Sequence, residues 1–368
     1  MYTKNPKYAT VSTSFPMDIA LFKQTFDPLL ARHLASKYTA YKNITSEETV
    51  LSILSHIQNV STGGKRLRPF IIWSLYKSTH TDASIEDIAP LLVAVELFHV
   101  FCLIHDDIMD EALVRHGTPT IHAYTETLLT KNHLEKNTRR ASENQAILAG
   151  DILFNYVFEL LNTSTWSTPK TREQIRNVFT TLVDEVCIGQ MLDIHLTTET
   201  HVPLSSIIEK NRLKTAYYSF ARPLHIGTLI AGREDLIDFS LRFGEIIGML
   251  FQIQDDLLDI IGNPTDTKKE IFTDLQENQH TVLTAYIREN ASPVYTEQLN
   301  TLCGTPKHLL DKDTVQNVFI NSGSIAYAQT LIKDYITQAE QLVENVHLDS
   351  HTSSVFTSII SLLRNRTL

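Results

Sequence analysis

The sequence predicts an all-α fold, in which about ten or more helices form a single domain. Glycine and proline are both sparse, at 12 each among 368 residues. Apolar residues recur at three- and four-residue spacing through long segments, which is the period of a helix with one buried face. The strict alternation that marks a half-buried strand is hard to find. A hydrophobic content of 43% is ample for a sizeable core.

The predicted helices follow one another along most of the chain. In order, they are residues 17–42, 46–60, 68–79, 85–112, 146–162, 171–196, 205–231, 235–262, 279–291, 323–346 and 353–365. Ser84 precedes the helix that begins at residue 85, and Asp87 follows three residues later, a pattern typical of an N-terminal capping box. Breaks at Gly63-Gly64, at Gly117 and at Gly262 punctuate the series.

The chain shows no linker, so we expect one domain over residues 1–368. Residues 1–15 are expected to be flexible. Residues 124–145 are polar and carry Arg139-Arg140, and we interpret them as a polar surface excursion in the form of a solvated loop.

Composition excludes several classes of function. The formal net charge of −10 argues against a general nucleic-acid binder, because phosphate neutralisation needs a basic surface. Three cysteines without paired spacing exclude a disulfide framework and a cysteine zinc site, and they suit a reducing cytoplasm. The most apolar stretch, residues 88–105, contains Glu96 and His99, whose burial in lipid would be costly. We therefore expect a buried core helix there and no transmembrane segment.

Two aspartate clusters of the same DDxxD form end two long apolar segments. They are Asp106-Asp107-Ile108-Met109-Asp110 and Asp255-Asp256-Leu257-Leu258-Asp259. On a helix, the first and last aspartates of each cluster share a face, where like charges repel and the macrodipole disfavours them. Carboxylates are natural ligands of Mg²⁺, and the pattern of a calcium loop is missing. Two such clusters facing each other predict a site for several divalent cations and a multiply charged oxyanion.

A basic segment, Gly63-Gly64-Lys65-Arg66-Leu67-Arg68-Pro69, supplies the opposite charge. Its glycines allow the backbone to approach an anion, and Lys65 and Arg68 can bind a second diphosphate through charge-assisted hydrogen bonds. The spacing is not that of a P-loop.

These motifs together resemble the trans-isoprenyl diphosphate synthases of the farnesyl and geranylgeranyl diphosphate synthase type. The matching segments, in the order of the family, are GGKRLRP, ELFHVFCLIHDDIMD, RHGTPTIH, AILAGD, GQMLD, KTA and FQIQDDLLD. They span about residues 60–280. The resemblance implies an isoprenoid-synthase fold with a deep central cleft, a homodimer, and condensation of an allylic diphosphate with isopentenyl diphosphate.

The resemblance also implies residue roles. Three Mg²⁺ ions would be held by Asp106, Asp107, Asp110, Asp255, Asp256 and Asp259. The allylic diphosphate would contact Arg115, Lys214, Thr215 and Gln252. Isopentenyl diphosphate would be bound by Lys65, Arg68 and His99. Gln190 and Asp193 would line the cavity near the metals. The residues on which catalysis would depend are Asp106, Asp107, Asp110, Arg115, Lys214, Asp255 and Asp256.

The chain departs from the family at cationic positions. His116 stands where a second arginine for isopentenyl diphosphate is usual, and Gln279 stands where a lysine is expected. The other lysine of that region survives as Lys269 or Lys268. We hypothesise that affinity for isopentenyl diphosphate is reduced, or that Arg139 and Arg140 compensate.

Product length should depend on bulk one turn below the first cluster. The relevant residues are Cys102 and Phe101, with Phe98 one turn deeper as an alternative floor. A small residue at 102 favours a C20 product, and C15 is the alternative. Two rivals stay open, a class I terpene cyclase and a non-catalytic partner subunit. The repeated DDxxD and the basic segment argue against the cyclase, and the retention of both clusters argues against the subunit.

Overall fold

A computed structural model describes residues 18–131, 137–163, 165–263 and 271–364. It confirms the all-helical fold. The helices are α1 Ile19–Tyr41, α2 Glu48–Val60, α3 Leu67–Thr79, α4 Ala89–Met109, α5 Ile121–Lys131, α6 Thr138–Thr163, α7 Pro169–Thr197, α8 Leu204–Asn211, α9 Arg222–Ile230, α10 Ile237–Ile261, α11 Thr273–Gln276, α12 Val282–Asn290, α13 Pro293–Leu302, α14 Lys312–Asn321, α15 Ser324–Glu344 and α16 Ser350–Arg364.

Short elements connect some of these helices. Ser84 and Asp87 form the predicted capping box, at the start of a 3₁₀ turn, Ile85–Ile88, that leads into α4. A two-stranded antiparallel hairpin, Val114–Arg115 with Thr118–Pro119, follows the first aspartate cluster. Gly117 supplies the positive φ at its tip.

The polar stretch at residues 124–145 is not the loop that its composition indicated. Its described parts belong to α5 and α6, and residues 132–136 lie outside the described chain. Thr125 and Ser142 are buried, and the hydroxyl of each donates a hydrogen bond to the backbone carbonyl four residues earlier in the same helix. Polar side chains that satisfy themselves in this way let a polar sequence pack as a helix. The terminal residues 1–15 also lie outside the described chain.

Helix α4 is a buried core helix, as expected. The segment Ile85–Met109 is long and apolar enough to cross a membrane, but two-thirds of its most apolar window is buried inside the protein. Leu91, Leu92 and Leu97 are fully enclosed. We therefore interpret α4 as a core helix whose last turn carries the first aspartate cluster.

The predicted helix 205–231 is interrupted by a π-helical segment, Arg212–Ala221. Close backbone approaches hold this segment against its neighbours. A Cβ at Gly189 of α7 would overlap the backbone of Lys214, and a Cβ at Gly248 of α10 would overlap Ala216. Glycine is therefore required at both positions, and Lys214 is fixed between α7 and α10.

Candidate active site

The first cluster lies in the last turn of α4, where cationic side chains approach it. Arg115, from the hairpin, donates through Nε to Asp107 Oδ1 at 2.5 Å. Asp110 caps the helix, its backbone N–H bonding to the carbonyl of Asp106 at 2.8 Å. Burial raises the pKa of Asp107 to about 6 despite the opposing effect of Arg115. Burial and the charge of Asp106 raise the pKa of Asp110 to about 7.

Lys214 connects the first cluster to Asp193 of α7. Its Nζ lies 2.5 Å from Asp193 Oδ2 and 3.8 Å from Asp106 Oδ1. Burial opposes the charge on Lys214, but Asp106 and Asp193 outweigh it and raise the pKa of the ammonium above its usual value. Lys214 is therefore a permanent cation beside the cluster.

The second cluster lies in α10, and two neutral side chains connect it by hydrogen bonds to the π-helical segment. Thr215 donates its hydroxyl proton to Gln252 Oε1 at 2.6 Å, and Gln252 Nε2 donates to Asp256 Oδ1 at 2.7 Å. Burial, reinforced by Asp274, raises the pKa of Asp256 to about 7. Thr215 and Gln252 thus orient Asp256, a contact that their expected role at the diphosphate did not foresee.

Asp259 holds the segment that follows α10. Its two carboxylate oxygens accept backbone N–H groups of Thr273 at 3.0 Å and Asp274 at 3.1 Å, and its carbonyl accepts the N–H of Phe272. Phe272 is buried with φ of 65°, a strained conformation for a bulky residue. Burial and Asp274 raise the pKa of Asp259 to about 8. The geometry gives Asp259 an anchoring task beside the metal role expected for it.

A cavity of about 460 Å³ lies beside the first cluster. Its walls are Met109, Asp110, Glu111, Gln190, Asp193, Ile194, Thr197, Gln276, Glu277 and Gln279. Gln190 and Asp193 line it, as expected. Glu277 also lines the cavity, and burial, followed by the charges of Asp110 and Asp274, raises its pKa to about 7.

The basic segment divides into a structural half and an accessible half. Arg66 is buried with φ of 57° and pairs with Glu96 at 2.7 Å and Asp27 at 2.8 Å, which fixes the turn. Arg68 donates to Ser219 at 2.7 Å and stacks over the ring of Tyr218 at 4.0 Å. Lys65 is exposed. The turn is therefore held by the arginine that the sequence left without a role.

His99 and His116 lie close to this basic turn. His99 Nδ1 is 2.9 Å from the hydroxyl of Tyr218. Burial, with Arg68 and Arg115 nearby, holds the pKa of His99 well below its usual value, so the imidazole is neutral. His116, with φ of 51°, lies against Gly63. His99 thus lies near Arg68, and His116 lies at the Gly63 end of the basic segment.

The remaining cationic candidates are less central. Arg139 pairs with Glu111 at 2.6 Å and Glu143 at 3.1 Å, and Arg140 is exposed beside Glu143. Both arginines are engaged by surface carboxylates, so the structure lends no support to their compensating for missing lysines. Lys268 and Lys269 lie outside the described residues.

The three chain-length candidates occupy different positions on α4. Cys102 shares the face of Asp106 and forms a hydrogen bond with the hydroxyl of Tyr218. Burial raises the pKa of its thiol to about 12. Phe101 turns toward α6, 5.1 Å from the ring of Phe154. Phe98 is enclosed, with its ring 5.1 Å from Phe179 of α7 and 6.0 Å from Tyr218.

The site fits Mg²⁺ by its donor chemistry. Within the described ranges, no three His, Cys, Asp or Glu side chains come close enough to bind a metal alone. Mg²⁺ does not need such a group, because it takes one or two carboxylates with phosphate oxygens and water. Asp256 Oδ2 is buried and has no hydrogen-bond partner among the described residues. A buried carboxylate oxygen without a donor is suited to a cation.

Several residues at the site had no clear signal in the sequence. Glu277 and Asp274 follow α10 in a polar stretch that reads as loop, and Lys210 reads as an ordinary surface lysine. Tyr218 belongs to no motif that the sequence analysis singles out. Asp274 and Glu277 can be connected with Asp110 only in the folded structure, where residues 273–279 approach the first cluster.

The fold and the carboxylate-walled cavity define the class of all-helical isoprenoid synthases. A crystal structure of geranylgeranyl pyrophosphate synthase from Corynebacterium glutamicum, complexed with isoprenyl diphosphate and magnesium, superposes with a TM-score of 0.87 and 26% identity, covering 95% of this chain and 100% of that one. The polyprenyl synthetase family model matches residues 48–319, and the chain belongs to that family.

Curated relatives agree on the class and differ in product. A short chain isoprenyl diphosphate synthase of Methanothermobacter thermautotrophicus is 29% identical, covering 81% of this chain and 84% of that protein. A geranylfarnesyl diphosphate synthase of Aeropyrum pernix is also 29% identical, covering 78% and 85%. The chain is therefore a short-chain trans-prenyltransferase of isoprenoid biosynthesis, in a family that uses Mg²⁺.

Proposed function

We propose that this prenyltransferase joins an allylic diphosphate to isopentenyl diphosphate and releases geranylgeranyl diphosphate (C20). The observation that carries the proposal is one cavity lined by Asp110, Asp193 and Glu277, with Asp274 acting both on Glu277 and on Asp256 of the second cluster. A multiply charged anion with its cations matches this arrangement of charges. Isoprenyl diphosphates are such anions.

The aspartates would bind the metal ions, three per site by resemblance to the family. Asp106, Asp107 and Asp110 would act from α4, and Asp255 and Asp256 from α10. When bound, Mg²⁺ supplies positive charge that stabilises the diphosphate as it leaves. Arg115 and Lys214 would then exchange part of their contact with Asp107 and Asp106 for contact with the diphosphate.

Isopentenyl diphosphate would lie on the other side of α4. Lys65, Arg68 and His116 border one turn, and Arg68 is held by Ser219 and Tyr218. Neutral His99 can accept or donate one hydrogen bond there without adding charge. With fewer cations than usual, this pocket should bind its substrate more weakly than an arginine-bearing one.

The reaction needs no nucleophilic side chain. The allylic C–O bond breaks, and the diphosphate leaves with the electron pair toward Lys214 and Arg115. The double bond of isopentenyl diphosphate attacks the carbocation, forming the new C–C bond. A proton then leaves the coupled cation for the released diphosphate. Apolar walls beneath the cluster exclude water from the carbocation.

Phe98 is proposed as the floor that sets product length. It bridges α4, α7 and the π-helical segment directly below Cys102, whereas Phe101 faces α6. Cys102→Phe should shorten the main product to C15, because a ring would fill the space above Phe98. Phe98→Ala should lengthen it, and Phe101→Ala should change it least. Product chromatography decides, and an unchanged length in both Cys102→Phe and Phe98→Ala would refute this floor.

We propose a homodimer from the exposed apolar side chains of two helices, and a cytoplasmic location from the small number of unpaired cysteines. Helix α6 exposes Leu148 and Phe158, at 57% and 64%, and α7 exposes Ile188 and Met191, at 50% and 70%. Apolar faces of this extent on two helices that flank α4 favour burial against a second copy. Sedimentation of Phe158→Glu against wild type tests it, since the charge should shift the equilibrium toward monomer.

Turnover is the direct test. Purified protein receives labelled isopentenyl diphosphate, Mg²⁺, and dimethylallyl, geranyl or farnesyl diphosphate in turn. Incorporation supports the proposal, and product length separates C20 from C15. Label-free cyclic hydrocarbons from the allylic substrate alone would indicate the terpene cyclase. Absence of both reactions would favour the partner subunit.

A further inference from the structure

Lys210 is a buried cation that the proposed mechanism has not used. It belongs to the last turn of α8, and its side chain is 9% exposed. Its Nζ lies 3.0 Å from Asp193 Oδ1 and donates to the carbonyl of His280 at 3.0 Å. A lysine is rarely buried this deeply without a specific partner.

Asp193 is shared between two lysines. Lys210 takes Oδ1, and Lys214 takes Oδ2 at 2.5 Å. Burial alone would raise the pKa of Asp193, but the two lysines outweigh it and keep the pKa below its usual value. The carboxylate is therefore ionised, and the orientation of Lys214 toward Asp106 depends on how Asp193 is held.

Lys210 also bonds to the chain next to a residue that lines the cavity. His280, whose carbonyl it binds, directly follows Gln279 in the segment that Asp259 anchors. The positive charge of Lys210 acts on Asp256 as well, against the effects of burial and Asp274. One ammonium group thus connects Asp193, the wall at 279–280 and the second cluster.

We propose that Lys210 is a positioning residue for prenyl transfer, holding Asp193 so that Lys214 is directed at Asp106 and the leaving diphosphate. This inference rests on the proposed function. Lys210 also contributes positive charge next to the cavity, close to the neutral side chain of Gln279. A buried ion pair with no such task would only help the fold, and the experiment separates the two.

Steady-state kinetics of Lys210→Met and Lys210→Arg are compared with Lys170→Met, an exposed lysine that pairs with Glu234 on the surface. Lys210→Met should lower kcat/KM for the allylic diphosphate by about 30-fold, less than loss of a group in direct contact with developing charge. KM for isopentenyl diphosphate should stay within about threefold, because Lys214 acts on the other substrate. Lys210→Arg should recover most of the loss, and Lys170→Met should match wild type.

A second variant tests charge apart from folding. Gln279→Lys in the Lys210→Met background places an ammonium on the same cavity, and should recover about tenfold of kcat/KM without restoring the melting temperature. If both substrates are affected equally, and activity follows melting temperature without rescue, Lys210 is only structural and the proposal is overturned. Should Lys210→Met not fold, Lys210→Gln keeps a hydrogen bond and takes its place, with the same criteria.

Binding of an uncleavable allylic thiodiphosphate with Mg²⁺, followed by calorimetry, separates this inference from the proposed function. Weaker binding by Lys210→Met than by wild type supports the inference even if wild type turns over no substrate. Equal binding and equal turnover in the two proteins would overturn it while leaving the prenyl transfer intact.

Discussion

Asp106 and Asp107 at the end of α4 lie against cationic side chains, whereas Asp256 and Asp259 of α10 accept hydrogen bonds from neutral donors. Asp107 pairs with Arg115, and Asp106 lies 3.8 Å from Lys214. Asp256 accepts an amide N–H from Gln252, and Asp259 accepts two backbone N–H groups. The same five-residue pattern therefore supports two different local structures.

This difference indicates two ways to hold charge before metal binds. At the first cluster, Arg115 and Lys214 offset the aspartates and, under the proposed function, would then be available to the substrate. At the second, burial and the neighbouring Asp274 oppose ionisation, and neutral donors, together with the charge of Lys210 at Asp256, offset it only in part. The second cluster should therefore depend more strongly on pH and on metal, and the first more strongly on its ion pairs.

The largest effect is expected at the first cluster. Asp107→Asn should lower kcat about 10³-fold, because it removes a proposed metal ligand and leaves Arg115 without its partner. The exposed Asp151→Asn, on α6, serves as control and should retain wild-type turnover. A loss smaller than tenfold in Asp107→Asn would contradict a central role for this ion pair.

The next effect concerns pH and metal at the second cluster. Asp256 has a pKa of about 7 in the folded protein and about 3.9 when unfolded, so the folded state binds more protons between these values. Metal-free protein should therefore lose stability as pH rises from about 4 to about 7. Asp256→Asn should flatten this dependence and lower kcat about 100-fold.

Melting temperatures at pH 5 and pH 8 measure this difference, with and without Mg²⁺ and inorganic diphosphate. The ligands should raise the melting temperature more at pH 8, where the carboxylates are ionised. The same pH dependence in wild type and Asp256→Asn would show that Asp256 is not its source.

A smaller effect is expected at Asp259, within the same cluster. Asp259→Asn keeps one acceptor oxygen and loses the other, so it should loosen residues 272–274 and lower kcat about tenfold. Amide hydrogen exchange should increase at Thr273 and Asp274 and stay unchanged in α4. A loss as large as that of Asp256→Asn, without faster exchange, would instead assign Asp259 to metal binding.

The smallest effect is expected in the relay behind Asp256. Thr215→Val removes the hydroxyl that Gln252 accepts, and one neutral hydrogen bond is worth about 0.5–1.5 kcal/mol, or about two- to twelvefold in rate. Turnover should therefore fall by about fivefold at unchanged melting temperature. Thr228→Val, on α9 away from the cavity, is the matched control.

Periodicity predicted the long helices well because their buried faces are continuous, as in α4 and α10. It missed α13 and α14, whose sequences are mixed, and the π-helical segment, which has the apolar spacing of an ordinary helix. The aspartates were found by repetition. The role of Asp259 was not, because its partners are backbone groups without any signature, and Lys210 gained meaning only through its distance to Asp193.

Glycine contact between α10, the π-helical segment and α7 has a consequence for how this enzyme can be altered. Any side chain at Gly189 or Gly248 would push the backbone that carries Lys214 and Thr215. The helix contacts at Gly189 and Gly248 therefore do not tolerate substitution by even a small side chain. Under the proposed function, variation in the length of the prenyl chain should instead come from α4, where Cys102 and Phe98 contribute side chains and not glycine contacts between backbones.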